Sequence, residues 1–154
     1  MSKILYADME ISDKIKRALE KMNITEPSDI QEKTIPLMMQ NVDLIAQSQT
    51  GSGKTLAFAI PIIEKINVDS KKNQALILCP TRELAQQIAK VFEDLLEEYK
   101  NIKSVCLYGG QSITVQLDKL KNCEAHASYI IEKSERNVLK NLGFNLTCEP
   151  KTYV

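Results

Sequence analysis

The chain has 154 residues, 44 % of them hydrophobic, with 20 basic and 20 acidic side chains that cancel to no net charge. That length suits one domain of ordinary size, and the composition supplies a core. The balanced charge excludes a strong overall field drawing the chain to a polyanion or a membrane, while leaving room for a local grip on phosphate.

Along the chain, Ser12 is placed to cap a first helix, with Ile11, Ile15, Leu19 and Met22 spaced by three or four. Glu26-Pro27-Ser28-Asp29 breaks the chain, and Ser28 with Gln31 makes an S-x-x-Q capping pattern opening a second helix through Ile35, Met38 and Met39. Pro36 is expected to end or kink that helix. Val42 to Ala46, a short and mostly apolar run, reads as a strand ahead of Gly51-Ser52-Gly53, and Leu56, Ala57, Ile60, Ile63 and Ile66 then keep helical spacing.

Ala75-Leu76-Ile77-Leu78-Cys79 is a continuous apolar run of the kind buried parallel strands show. Thr81 begins a long amphipathic helix with Leu84, Ile88, Val91, Phe92, Leu95 and Leu96 on one face. Ile102 to Tyr108 reads as a third strand closed by Gly109-Gly110, and another helix is expected from Ile113 to Leu120. Strands alternating with helices predict βαβ units and a parallel sheet. After Asn122 the rhythm changes: Ser128 to Leu142 is read as a helix closed by Gly143, with no further strand.

Of the four cysteines, Cys79 and Cys106 lie in strand-like apolar runs and are read as buried structural thiols; Cys123 and Cys148 complete the set without any C-x-x-C pair. His126, the single histidine, has no partner at metal-ligand spacing. No run approaches the length of a membrane span, and the N-terminus has no apolar leader-like stretch, so a cytoplasmic, reducing setting is expected.

The sharpest signal is Ala46-Gln47-Ser48-Gln49-Thr50-Gly51-Ser52-Gly53-Lys54-Thr55, close to the P-loop pattern G-x-x-x-x-G-K-T with Ser48 where the first glycine usually sits. Gly51 and Gly53 let backbone N–H groups turn toward one centre at a helix N-terminus, making an anion nest. Lys54 places a charge on the β- and γ-phosphates, and the Thr55 hydroxyl is positioned to ligate Mg²⁺. Ser48, Gln49, Thr50, Gly51, Ser52, Gly53, Lys54 and Thr55 are therefore the candidate nucleotide-binding residues, for a nucleoside triphosphate with Mg.

Three further stretches resemble the DEAD-box ATP-dependent RNA helicases over residues 6 to about 121. Asn23-Ile24-Thr25-Glu26-Pro27-Ser28-Asp29-Ile30-Gln31 is similar to their Q motif, Pro80-Thr81-Arg82-Glu83-Leu84-Ala85 to P-T-R-E-L-A, and Tyr108-Gly109-Gly110 to their G-G element. The resemblance implies a RecA-like α/β domain in which Gln31 reads adenine, Ile24 packs on it, and Tyr6 is the isolated upstream aromatic of the motif. It further implies that Pro80, Thr81, Arg82, Gly109 and Gly110 contact the RNA backbone without reading sequence.

Two departures weaken the adenine pocket: the family's G-F is Asn23-Ile24 here, and its P-T-P is Pro27-Ser28-Asp29. No Asp-Glu dipeptide occurs, so D-E-A-D is missing, as are T-P-G-R, S-A-T and the second RecA-like domain. Residues 1–122 are accordingly assigned to the N-terminal part of helicase domain 1, a truncated P-loop NTPase domain, and 123–154 to an unassigned tail of frameshifted or fused origin. The expected function is that of an ATP-dependent RNA helicase family member deficient in hydrolysis on its own; the alternative is a non-catalytic nucleotide- or RNA-binding fragment, or a defective gene product. Were a carboxylate to be supplied from the tail, Glu124, Glu132 and Glu135 are the candidates.

Overall fold

The computed structural model describes residues 4–70, 73–110, 112, 114–116, 118 and 127–132. Its described residues fall into two units: those up to Lys65 with Asp94–Tyr99, and the remainder.

In the first unit, a 3-10 turn at Tyr6–Asp8 precedes α1 (Asp13–Lys21). The Ser12 hydroxyl accepts from the Ile15 N–H at 3.4 Å, satisfying one of the orphan donors of a helix start. Ile15, Ala18 and Leu19 are buried, as their spacing demands.

α1 ends in a Schellman motif: the Ile24 N–H donates to the Leu19 carbonyl and the Asn23 N–H to the Glu20 carbonyl, both at 2.9 Å. Asn23 takes φ 58°, the left-handed conformation that asparagine tolerates best after glycine. The substitution of the family glycine by Asn23 thus leaves the backbone turn intact.

α2 (Asp29–Met39) starts at Ser28, whose N–H is accepted by the Gln31 side chain at 2.7 Å, the expected capping box. The expectation for Pro36 is corrected in part, since α2 continues beyond it to Met39. Proline deletes the bond to the carbonyl four residues back, and Pro36 lies exposed with Glu32, so water can take over that acceptor. Lys65 caps the far end of α2, donating to the Met38 carbonyl and to Asn41 Oδ1.

α3 (Lys54–Lys65) packs on α2, burying Leu56, Ala57, Ala59, Ile60, Pro61 and Ile63. Each fully buried Ile or Leu is worth about 1.5–3 kcal/mol against exposure. The strand expected at Val42–Ala46 does not form; Ile45 alone makes a bridge. Strand structure needs a ladder partner, and no described strand pairs alongside this run.

The second unit holds a parallel three-stranded sheet in the order β1-β3-β2, from β1 (Ala75–Cys79), β2 (Lys103–Leu107) and β3 (Ala127–Glu132). β3 lies in the middle, with Ile77 opposite Ile130 and Cys106 also opposite Ile130. This corrects the helix expected from Ser128 to Leu142: residues 128–132 are strand, and the rest of that span lies outside the described residues, as do Cys123, Glu124, His126, Glu135 and Cys148.

The expectation that β1 is a fully buried strand is also corrected. Only Cys79 is buried, while Leu78 is 44 % exposed, because among the described residues β1 is an edge strand and not a central one. β2 alternates, with Val105 and Leu107 buried and Lys103 exposed. The expected buried thiol holds for Cys79; Cys106 is half-buried.

Between β1 and β2 runs α4 (Arg82–Leu96), capped by the Thr81 hydroxyl, which accepts the Leu84 N–H at 3.3 Å. Of the predicted stripe, Ile88, Phe92, Leu95 and Leu96 are buried and Leu84 and Val91 half-buried, and Ala85 and Ala89 are buried beside them. Of the helix expected at Ile113–Leu120, residues 114–116 and 118 are described and helical.

Candidate functional site

The loop between the Ile45 bridge and α3 is shaped by two left-handed glycines, Gly51 at φ +80° and Gly53 at φ +85°. Residues with a Cβ avoid that region, so the sequence places glycine where the loop must turn its amides inward. α3 begins at Lys54, directly after Gly53, and the first amides of a helix have no intrahelical acceptor. A glycine turn leading into a helix start is the arrangement that can offer N–H groups and the positive end of a helix dipole to phosphate.

Ser48, the departure from the P-loop pattern, is half-buried with its hydroxyl 2.6 Å from that of Ser52. The pair ties the start of the loop to its tip. Gln49, Thr50 and Gly51 are exposed, and Ser52, Gly53, Lys54 and Thr55 are half-buried. Lys54 Nζ donates to the Ser48 and Gln49 carbonyls at 2.6 Å each, holding its ammonium over the loop.

The Q-motif resemblance sits against this loop. The Ser28 hydroxyl donates to the Ser52 carbonyl at 2.6 Å, and Gln31 Nε2 donates to the Gly53 carbonyl at 2.9 Å. Gln31 Oε1 accepts the Ser28 N–H and also the Tyr6 hydroxyl, both at 2.7 Å. Gln31 and Tyr6 are buried, and burial pushes the Tyr6 phenol well above its ordinary pKa, keeping it a hydrogen-bond donor. Ile24 is half-buried at the end of the Schellman turn, and the Tyr6 N–H donates to the Thr25 carbonyl at 3.1 Å. Tyr6, Gln31, Ser28 and the loop thus form one hydrogen-bonded cluster. Sequence reasoning had Ser28 as a helix cap and missed its grip on the loop; the clue was its place beside Gln31 in a motif already tied to the nucleotide.

The second group lies in the other unit. Pro80, Thr81 and Arg82 are exposed where β1 gives way to α4. Among the described residues, Arg82 pairs with the adjacent Glu83 at 3.3 Å, both well exposed, an attraction small enough to yield to a phosphate. A Cβ built on Gly110 would lie 3.7 Å from Arg82 Nη1, so the two expected elements meet at the same end of the sheet.

The turn carrying Gly109 and Gly110 is latched by Gln116, which sequence reasoning did not single out. Its amide accepts the Tyr108 N–H and donates to the Tyr108 carbonyl, both at 3.2 Å. Among the described residues, no group of three His, Cys, Asp or Glu side chains is placed to hold a metal, and no helix is long and apolar enough to cross a membrane.

An inward-turned glycine loop at a helix start, with a lysine over it and a buried glutamine fastened to it, defines a P-loop nucleotide-binding domain of RecA-like type. The family model of the DEAD/DEAH box helicases matches residues 28–144, which takes in the strand β3. The chain belongs to that family, and its relatives are DEAD-box RNA helicases.

It is 45 % identical over 118 residues to the DEAD-box ATP-dependent RNA helicase CshA of Geobacillus kaustophilus, covering 75 % of this chain and 25 % of that protein. Against the ATP-dependent RNA helicase DeaD of Mycobacterium tuberculosis the identity is 42 %, over 75 % of this chain and 21 % of the other. Among solved structures, a DEAD box protein from the hyperthermophile Methanococcus jannaschii superposes with a TM-score of 0.80 at 37 % identity, over 94 % of this chain and 39 % of that one. The chain thus spans about a quarter of the length of these curated relatives.

Proposed function

We propose that this polypeptide binds ATP with Mg²⁺ through unit one and offers an RNA-backbone contact surface in unit two. The observation that carries the reading is the hydrogen bond from Gln31 Nε2 to the Gly53 carbonyl, which fastens a base-reading amide to a phosphate loop. Bound phosphate would draw the Lys54 ammonium off the Ser48 and Gln49 carbonyls, since an anion is the stronger partner for a cation. The Thr55 hydroxyl, one residue into α3, is the group that would meet Mg²⁺; the ion would supply further charge neutralisation at the phosphates.

On the other unit, Thr81, Arg82, Gly109 and Gly110, with Pro80 shaping the turn, present one exposed guanidinium and a backbone open enough for phosphate to approach. Such contacts position a nucleic acid strand without reading its bases. Unwinding or remodelling of RNA is the activity that the relatives' names carry, and here it belongs to the proposal, as does a cytoplasmic setting.

The test is nucleotide-dependent thermal stabilisation. At about 100 times its Kd, ATP or ADP with Mg²⁺ should add about 2.7 kcal/mol. Lys54→Ala should abolish the shift; an undiminished shift in that variant rules out the phosphate loop as the binding site.

A further inference from the structure

β2 ends at Leu107, and its ladder with β3 ends at the pair Leu107–Ile131. One residue further on, a side chain takes over the role of the ladder. Gln116 Oε1 accepts the Tyr108 N–H and Gln116 Nε2 donates to the Tyr108 carbonyl, both at 3.2 Å. A carboxamide carries the same donor–acceptor pair as a peptide group, so it can grip both backbone groups of one residue. Those two groups fix which way the amide faces, because turning it over would set donor against donor and acceptor against acceptor.

Gln116 points inward from its helical turn: it is buried, while Thr114, Val115 and Asp118 are exposed. Its own N–H donates to the Ser112 carbonyl at 3.2 Å, so the helix start is tied to the same residue. With Tyr108 held through both backbone groups, the course on which Gly109 and Gly110 leave the sheet is set. Gly110 is exposed at φ +89°, and a Cβ built on it would lie 3.7 Å from Arg82 Nη1. Arg82 opens α4 just after β1, so its meeting with the turn depends on that course. A guanidinium gives charge-assisted bonds to phosphate, and glycine admits phosphate close to the main chain.

We propose that Gln116 is a positioning residue for an RNA strand: by pairing with both backbone groups of Tyr108 it sets the Gly109–Gly110 turn beside Arg82, so that turn and guanidinium meet one phosphate together. This rests on the RNA-backbone reading given above and adds to it a buried residue that acts through the turn.

The experiment measures the Kd of a fluorescein-labelled oligouridylate by anisotropy across a series of salt concentrations, for the full chain, Gln116→Met, Arg82→Gln and the double variant. Methionine keeps the length and bulk of glutamine and loses both hydrogen bonds, without touching a charge. Gln116→Met should weaken binding about tenfold, the worth of one charge-assisted hydrogen bond. It should also lower the slope of log Kd against log salt by about 0.7, one phosphate on a single strand. Arg82→Gln should do the same, and the double variant should be no weaker than the worse single one, because both lose the same contact. A side chain that merely steadied the fold would lower the melting temperature and leave the slope alone.

If circular dichroism shows Gln116→Met unfolded, hydrogen exchange of the Tyr108 amide in the unaltered chain decides instead: it should be slow, and slower with oligouridylate bound. An unchanged slope in folded Gln116→Met, losses that multiply in the double variant, or a Tyr108 amide that oligouridylate leaves unslowed overturns the inference. The RNA-backbone reading stands through any of these as long as Arg82→Gln weakens binding. An oligouridylate that does not bind, or that binds Arg82→Gln undiminished, overturns both.

Discussion

Gly51 and Gly53 share the left-handed conformation but not the same surroundings, and the difference is measurable. A Cβ at Gly51 meets nothing within 4 Å, whereas one at Gly53 would lie 2.3 Å from Gln31 Nε2. Gly51→Ala should therefore cost only the backbone penalty of about 1–2 kcal/mol. Gly53→Ala should cost that and also push away the Gln31 amide, whose hydrogen bond is worth about 0.5–1.5 kcal/mol more. Urea denaturation of the two variants should rank Gly53→Ala as the less stable; equal midpoints would mean that Gln31 does not press on the loop.

At the C-terminus of α1, Asn23→Ala should likewise cost about 1 kcal/mol, and Asn23→Gly should be neutral or slightly stabilising. The substitution read from sequence as a weakened adenine pocket is, for the backbone, a conservative one. Periodicity could not reveal this, because the left-handed φ of Asn23 belongs to the helix end and carries no apolar signature.

Helix α1 is joined to the segment after α4 by charge. Arg17 Nε and Lys21 Nζ pair with Glu98 at 3.1 and 2.9 Å, and Lys21 also pairs with Glu97 at 3.1 Å. Nearby, the Ser12 and Tyr99 hydroxyls lie 2.9 Å apart, and Lys14 Nζ sits 4.9 Å above the Tyr99 ring. Hydrogen bonds from Lys21, then Arg17, hold the Glu98 carboxyl below its ordinary pKa, and those from Glu98, then Glu97, hold the Lys21 ammonium above its own.

The signs follow directly. A depressed carboxylate stabilises the fold above the unfolded pKa of about 4.3 and loses that contribution as pH falls through its folded value. A raised lysine stabilises below about 10.4 and loses its contribution as pH rises through its folded value. Glu98→Gln should flatten the acid limb of stability against pH more than Glu93→Gln does, and added salt should shrink the difference, since the groups are exposed. Equal acid limbs in the two variants would remove Glu98 from the account.

The helices and their faces were legible at this scale because each carries its own 3.6-residue repeat and cap. Strands were less so. Val42–Ala46 has the composition of a strand but no described neighbour to pair with. Ala127–Glu132 has a short run, Tyr129-Ile130-Ile131, that local reading absorbed into a helix ended by Gly143. Pairing is decided by residues about 20 to 50 positions away, and β3 owes its place to β1 and β2 on either side.

At the scale of the molecule, β1 is the exposed margin of the described sheet. Among the described residues it has one neighbour, β3, and Leu78 stands 44 % exposed on a strand free of charge and proline. Edges of this kind pair with other chains unless a charge blunts them. Leu78→Lys should reduce concentration-dependent light scattering while leaving the circular dichroism spectrum unchanged; unaltered scattering would place the self-associating surface elsewhere.

The 154-residue polypeptide by itself should release no phosphate from ATP above background, with or without single-stranded RNA. Hydrolysis needs charge neutralised on the transferring phosphoryl group and a water molecule held in line to attack it. In the proposed reading, Lys54 and the amides at the start of α3 would serve the first need. For the second, no Asp-Glu dipeptide occurs in the sequence, and the first turn of α3 carries no acidic residue. General-base assistance is worth about 10²–10⁴-fold, and an arginine finger from another domain about 10³–10⁵-fold. Either loss alone brings turnover close to background, though the two need not multiply, because groups acting as a unit are not additive. Steady-state phosphate release, run beside Lys54→Ala, is the measurement. RNA-stimulated turnover that vanishes in that control would mean that the tail supplies a carboxylate, with Glu132, at the end of β3, the first to replace by glutamine, and Glu124 and Glu135 next.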